Sequence, residues 1–155
     1  MIQMAMTVAE HGAFERMVGR WQGTERLHPA PHDPFGGIAA AVIVNRPILG
    51  GLMLVQEYRQ SRNGETALEG HAVFRWDPAD GRYAMHWFDS SGRAPAEFRG
   101  TFDDGVLVLE HRAAHGLSRA SFDFRRDDRY GFRMEVSPNG VAWYPFIEGD
   151  YRRVE

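Results

Sequence analysis

The stretch Leu68-Glu69-Gly70-His71-Ala72-Val73-Phe74-Arg75-Trp76-Asp77-Pro78 decides how this chain is read. Gly70, Ala72, Phe74 and Trp76 are small or apolar and share one parity, while Glu69, His71 and Arg75 share the other, with Val73 the exception. A period of two is the pattern of a strand with one dry and one wet face. The run Asp77-Pro78-Ala79-Asp80-Gly81 then supplies turn residues, so the chain folds back into the next apolar run at 83–89.

The same alternation appears further along. Ala120, Phe122 and Phe124 alternate with Arg119, Ser121, Asp123 and Arg125, and Phe132, Met134 and Val136 alternate with Arg133 and Glu135. Ten such runs are expected as strands, at 21–27, 38–47, 52–62, 66–76, 83–89, 96–102, 106–112, 118–125, 130–137 and 143–153. Arg62-Asn63-Gly64-Glu65, Asp103-Asp104-Gly105 and Pro138-Asn139-Gly140 provide further hairpin turns. A helical period occurs only at 11–18, where Phe14 pairs with Met17 and Val18 and Gly19 stands ready as a stop.

With no long helix between strands, parallel crossovers are excluded. A long meander with one apolar face removes its exposed edges by curling shut. The expected fold is therefore all-β, a closed up-and-down antiparallel barrel of about ten strands with a short N-terminal helix, ahead of a large sandwich. Glycines 50, 51, 70, 100 and 131 are expected at its tight bends.

The 155 residues suit a single domain over 1–155, and 43% hydrophobic residues are enough for a packed core. All 18 basic residues are arginine, and the chain has no lysine and no cysteine. Thiolate chemistry, disulfides, sulfur-ligated metals, lysine Schiff bases and the phosphate-binding P-loop lysine are thereby excluded. A net charge of -3 gives no footprint for nucleic acid. No apolar run is long enough to span a bilayer and the N-terminus lacks a leader pattern, so no membrane association and a cytoplasmic location are expected. Oligomeric state is not specified by these features.

His28, His32 and Asp33 form the most metal-like group, but Pro29, Pro31 and Pro34 prevent a helix that would align the two imidazoles. The preferred reading is a proline-stiffened cover at one barrel end, with no metal. His71 belongs to the wet face, and the direction of His86 is not readable from its neighbours. Ser90 and Ser91 lack a nucleophile elbow, and no catalytic residue is assigned. Three polar residues fall on apolar registers: Glu25 with Trp21, Gly23 and Leu27; Tyr58 with Leu52 and Leu54; and Asp89 with Tyr83, Met85 and Trp87. Buried polar groups need partners, so these three either pair at the barrel mouth or meet a ligand. An internal site would be bounded by Trp76 and Trp87, with Tyr58, Asp89 and Glu25 as its polar contacts.

Gly19-Arg20-Trp21 after a short helix resembles the Gly-x-Trp signature of calycins, the superfamily of lipocalins and fatty-acid-binding proteins. Closer similarity to a bacterial calycin-like family of domains of unknown function, family 1579, runs through several segments. These are residues 18–23, 28–34 and 54–58, Gly70-His71-Ala72-Val73-Phe74-Arg75-Trp76-Asp77-Pro78, His86-Trp87-Phe88-Asp89-Ser90, and 146–153. The resemblance implies a barrel closed by an arginine of the last strand lying across Trp21. Of Arg152 and Arg153, the second shares parity with Ile147, Gly149 and Tyr151 and is the expected partner. Some related small barrels hold haem through a histidine near the C-terminus, but no histidine follows His115 here, so no cofactor is specified.

The resemblance supplies no activity, and three readings stay open. The first is a barrel binding a small apolar or amphipathic molecule in its interior. The second is an enzyme using the same cavity, with Glu25 or Asp89 as base and Tyr58 as proton donor. The third is a structural or interaction barrel filled by Phe74, Trp76, Trp87, Phe122, Phe124 and Phe132.

Overall fold

Ten antiparallel strands follow one another as a meander in the computed structural model, which describes residues 5–31, 33–114 and 116–154. They are β1 (Gly19–Leu27), β2 (Gly37–Ile48), β3 (Met53–Arg62), β4 (Glu65–Asp77), β5 (Arg82–Asp89), β6 (Ala96–Asp103), β7 (Val106–Ala113), β8 (Gly116–Asp123), β9 (Arg129–Ser137) and β10 (Tyr144–Arg153). Each pairs with the next, and β1 pairs with β10, so the sheet closes into a barrel with no free edge. The tight turns follow from residues that accept left-handed backbone. Asn63 and Gly64 have φ of 54° and 79°, and Asp104 and Gly105 have 49° and 79°, as a two-residue hairpin with right-twisting strands requires.

One end of the barrel is closed. A 3₁₀-helix, Ala9–Arg16, lies across it and buries Phe14, and Met17 just after it is fully covered. The Met17 carbonyl accepts hydrogen bonds from Trp21 Nε1 at 3.0 Å and Asn45 Nδ2 at 2.9 Å, which ties the helix to β1 and β2. Above it Trp21, Phe124, Tyr130 and Tyr83 form the floor, with Trp21 and Tyr130 packed edge to face at 4.8 Å.

Several local expectations shift. The helix is 3₁₀ and ends before Gly19, because Met17 turns down into the floor instead of continuing the turn. Strand β8 stops at Asp123, short of 125. Phe124 leaves the ladder, its N–H donating to the Gly105 carbonyl at 2.8 Å and its carbonyl accepting from Arg16 at 2.9 Å, so its ring can enter the floor. Trp143 precedes β10 and lies under the Arg119 guanidinium at 3.9 Å. Val136 shares the parity of Phe132 and Met134 but is 38% exposed while the next residue, Ser137, is buried, because the register of β9 against β10 shifts between Pro145 and Ile147, opposite Glu135 and Met134, and the inward parity changes there. Gly70 is not a bend: a Cβ there would lie 2.2 Å from the Trp87 ring, so its bareness makes room for an indole. Gly131 has nothing close to a Cβ, its nearest neighbours being 3.9 Å away.

Candidate functional site

The barrel interior divides into a filled lower half and an open upper half. Phe74, Leu107, Leu109, Phe122 and the floor residues pack the closed end. Above them is a cavity of about 160 Å³, walled mainly by Ile43, Met85, Phe98, Phe122, Phe132 and Met134. At the open end lies a wider space of about 510 Å³ bordered by Leu27, His28, Asp33, Arg62, Ser91 and Arg93. Leu68, Asp89, Phe146 and Ile147 belong to the walls of both, so the inner cavity and the mouth share a neck.

Behind one wall of the cavity is a polar knot. Glu25 is 1% exposed, and its carboxyl accepts hydrogen bonds from Tyr151 at 2.5 Å, Tyr58 at 2.6 Å and Gln60 Nε2 at 2.9 Å. Glu25 pairs across the ladder with Ala39, and Gln60 with Ala41. These small residues of β2 leave space for Glu25 on β1 to reach over to Tyr58 and Gln60 on β3. On the other side Glu25 faces Gly149 of β10. A Cβ at Gly149 would lie 2.2 Å from the Tyr151 hydroxyl, so only glycine lets that ring fold back along its own strand to reach the carboxyl.

Burial, followed by the Glu25 charge, raises the hydroxyl pKa of Tyr58 well above the ordinary tyrosine value; the same two causes raise Tyr151 and Tyr130. The Tyr58 and Tyr151 hydroxyls therefore keep their protons and donate them to the Glu25 carboxyl. The Glu25 carboxyl has three donors, and among the described residues no cation lies within ion-pair distance.

At the neck, Trp87 rests over Gly70 and donates its Nε1–H to Asp89 at 2.8 Å, with its ring edge-to-face to Tyr58 at 5.9 Å. Burial opposes ionisation of Asp89, but hydrogen bonds from Ser91 and Trp87 and the nearby Arg93 charge outweigh it and hold the carboxyl below its usual range. Further out, Arg62 donates to Asp33 and to the Gly36 carbonyl, each at 2.7 Å, pinning both to the end of β3. The described residues between β1 and β2 have little regular structure beyond one bridge between Ala30 and Asp33.

Of the five expected contacts, Tyr58, Trp87 and Asp89 line the cavity. Glu25 sits behind Tyr58 and Tyr151. Trp76 stands at the closed end, with its ring 4.9 Å from Tyr83, outside the residues that line the cavity. Trp21 and Arg153 are brought together, with the guanidinium 4.2 Å from the ring centroid. His28 pairs with Glu148 at 2.7 Å, and Asp33 with Arg62, while His32 lies outside the described residues. Among the described residues no group of three metal-ligating side chains forms. His71 faces outward to Glu57 at 2.8 Å, and His86 to Arg75 at 3.0 Å. Sequence reasoning missed Gln56, Gln60 and Tyr151. Gln56 and Gln60 share the register of Leu54 and Tyr58, and that in-phase pair of amides was the available signal.

A family model described as protein of unknown function DUF1579 matches residues 7–153. No curated protein matches the chain significantly. Among solved structures, Rv2717c from M. tuberculosis superposes with a TM-score of 0.75 at 14% identity, over 97% of this chain and 100% of that one. The S-type phycobiliprotein lyase CPES from Guillardia theta superposes with a TM-score of 0.63 at 14% identity, over 96% and 99%. The barrel is calycin-like. No helix among the described residues is long and apolar enough to cross a membrane.

Proposed function

Because the chain belongs to the DUF1579 family, whose function is unknown, the barrel must be read from its own geometry, and we propose that it binds a small, flat, mainly apolar molecule. The apolar part enters the inner cavity and the polar end stays at the mouth. The observation that carries this reading is the shared neck, which joins an aromatic- and methionine-lined cavity to a wider polar vestibule. Ligand pockets are typically apolar clefts of about 300–1,000 Å³ with a few placed polar groups. The inner cavity of about 160 Å³ falls below that range and the mouth of about 510 Å³ lies within it.

The polar knot argues for binding rather than acid–base chemistry. A tyrosine whose pKa is raised gives up its proton less readily, so Tyr58 is a poor general acid near neutral pH. Glu25 is occupied by three donors and screened from the cavity by the tyrosines it orients. The knot thus fixes the cavity wall. At the mouth, Arg93 makes no ion pair among the described residues and, with Arg62, offers donors to the exposed end of a ligand.

Native mass spectrometry of freshly purified protein tests the reading. A copurified mass present under native conditions and lost on denaturation is expected. A bare chain that also fails to bind fatty acids, flavins, haem, linear tetrapyrroles or simple aromatics would reject it. Tetrapyrroles join the panel because a phycobiliprotein lyase shares the fold.

A further inference from the structure

Tyr58, Tyr130 and Tyr151 all border the inner cavity, but their hydroxyls are not used alike. Those of Tyr58 and Tyr151 donate to Glu25. Tyr130 is 1% exposed, and its hydroxyl has no hydrogen-bond partner among the described residues. Nor is that hydroxyl sealed inside the wall. The fully enclosed side-chain atoms left without a partner are Asn45 Oδ1 and Gln56 Nε2, which stand opposite each other in the β2–β3 ladder. The Tyr130 hydroxyl therefore opens into the cavity whose floor its ring helps to form. Buried hydroxyls are nearly always paired, and a protonated one facing an apolar cavity calls for an acceptor.

The surroundings set the charge of that acceptor. Among the described residues no arginine or histidine borders the inner cavity, whereas the Glu25 carboxyl lies behind its wall and the Asp89 carboxyl stands at its neck. Arg62 and Arg93 are further out, at the mouth. An anion carried to the floor would give up water for a dry site with two acidic neighbours and no cation, which is strongly unfavourable. Volume sets the rest: a dry cavity of roughly 150 Å³ accepts one benzene-sized ring, and this one is about 160 Å³ and walled by rings and methionine. Resting on the binding function proposed above, we infer that the ligand enters neutral end first, as a ring-sized apolar group whose uncharged acceptor meets the Tyr130 hydroxyl, and that the inner cavity turns away the corresponding anion.

Acetophenone and isopropylbenzene have nearly the same shape and differ in the acceptor, while benzoate adds the charge. Their dissociation constants are measured by calorimetry or ligand-observed NMR on the wild type and on Tyr130→Phe, which removes the hydroxyl and keeps the ring that packs on Trp21 and Phe124. The ratio of the isopropylbenzene constant to the acetophenone constant should fall about tenfold in the variant, the size of one hydrogen bond to an otherwise unpaired donor. Isopropylbenzene affinity itself should stay within about threefold. On the wild type, with no variant needed, benzoate should bind at least about tenfold more weakly than acetophenone. An unchanged ratio, as when a buried water meets Tyr130, overturns the inference, and so does benzoate binding as tightly as acetophenone; either leaves ligand binding standing. Failure of the wild type to bind acetophenone and isopropylbenzene also overturns it, while the binding function is decided separately by the native mass spectrum and the wider ligand panel.

Discussion

The guanidinium carbon of Arg153 lies 4.2 Å from the centroid of the Trp21 ring, directly opposite it in the β1–β10 ladder. Arg153 also donates to the backbone carbonyl of Val18 and pairs with Asp128 at 2.9 Å. One side chain therefore covers the floor tryptophan, anchors the segment after the helix and fastens the seam where the barrel closes. Replacing it by Arg153→Met keeps much of the stem and removes the charge and donors. Unfolding in urea should show a loss of about 1–3 kcal/mol, from the cation–π contact plus the lost hydrogen bonds. A change below about 0.3 kcal/mol would mean that the contact contributes nothing to closure.

Glu25, further along β1 from Trp21, organises the cavity wall through its three donors. Glu25→Leu strands two hydroxyls and an amide in the core, and should cost about 3–5 kcal/mol by chemical denaturation. Glu25→Gln retains an acceptor oxygen and should cost less than half as much. Equal losses in the two variants would show that the volume of the side chain matters and its oxygens do not.

Gly149 and Gly70 are bare for different rings. Gly149→Ala brings a methyl to 2.2 Å from the Tyr151 hydroxyl and should break its bond to Glu25, lowering stability by about 1–3 kcal/mol. Gly70→Ala brings one to 2.2 Å from Trp87, and should displace the indole from Asp89. Its readouts are a shifted tryptophan emission and an altered neck. Wild-type spectra in Gly70→Ala would show that Trp87 does not rest there.

Tyr58, Tyr130 and Tyr151 have hydroxyl pKa values raised by burial and then by the Glu25 charge. A group whose folded pKa exceeds its unfolded value contributes stability that is complete below the unfolded value, about 10 for tyrosine, and lost as pH rises beyond it. Each such tyrosine should lower stability by about 1.4 kcal/mol per pH unit in that range. Alkaline titration followed by tyrosinate absorbance and circular dichroism should therefore show these three ionising together with loss of the sheet. Their ionisation in an intact barrel would contradict the buried knot.

Most of the fold was legible because alternation is local. The ten runs and their turns follow from which parity carries Phe, Trp and Leu, and from Asn-Gly and Asp-Gly pairs. Parity also singled out Glu25, Tyr58 and Asp89. What parity lacks is depth along the barrel axis. Trp76 and Trp87 share the inward face, yet one packs on Tyr83 at the closed end and the other on Tyr58 at the neck. Depth depends on how the strands are staggered around the closed sheet, which no single strand encodes. Tyr151 reaches Glu25 only because Gly149 lacks a side chain and β1 and β10 are neighbours, a contact spanning 126 positions.

Ligand binding at the neck can be read from the tryptophan indole N–H signals in a nitrogen-15 correlated NMR spectrum during titration with the panel of apolar ligands named above. Trp87 borders the cavity and holds Asp89, whereas Trp21 is sealed beneath Arg153 with its N–H committed to Met17. Saturable movement of the Trp87 signal with Trp21 unmoved is the predicted result. A spectrum in which no indole moves with any ligand of the panel, or in which Trp21 moves and Trp87 does not, would contradict it.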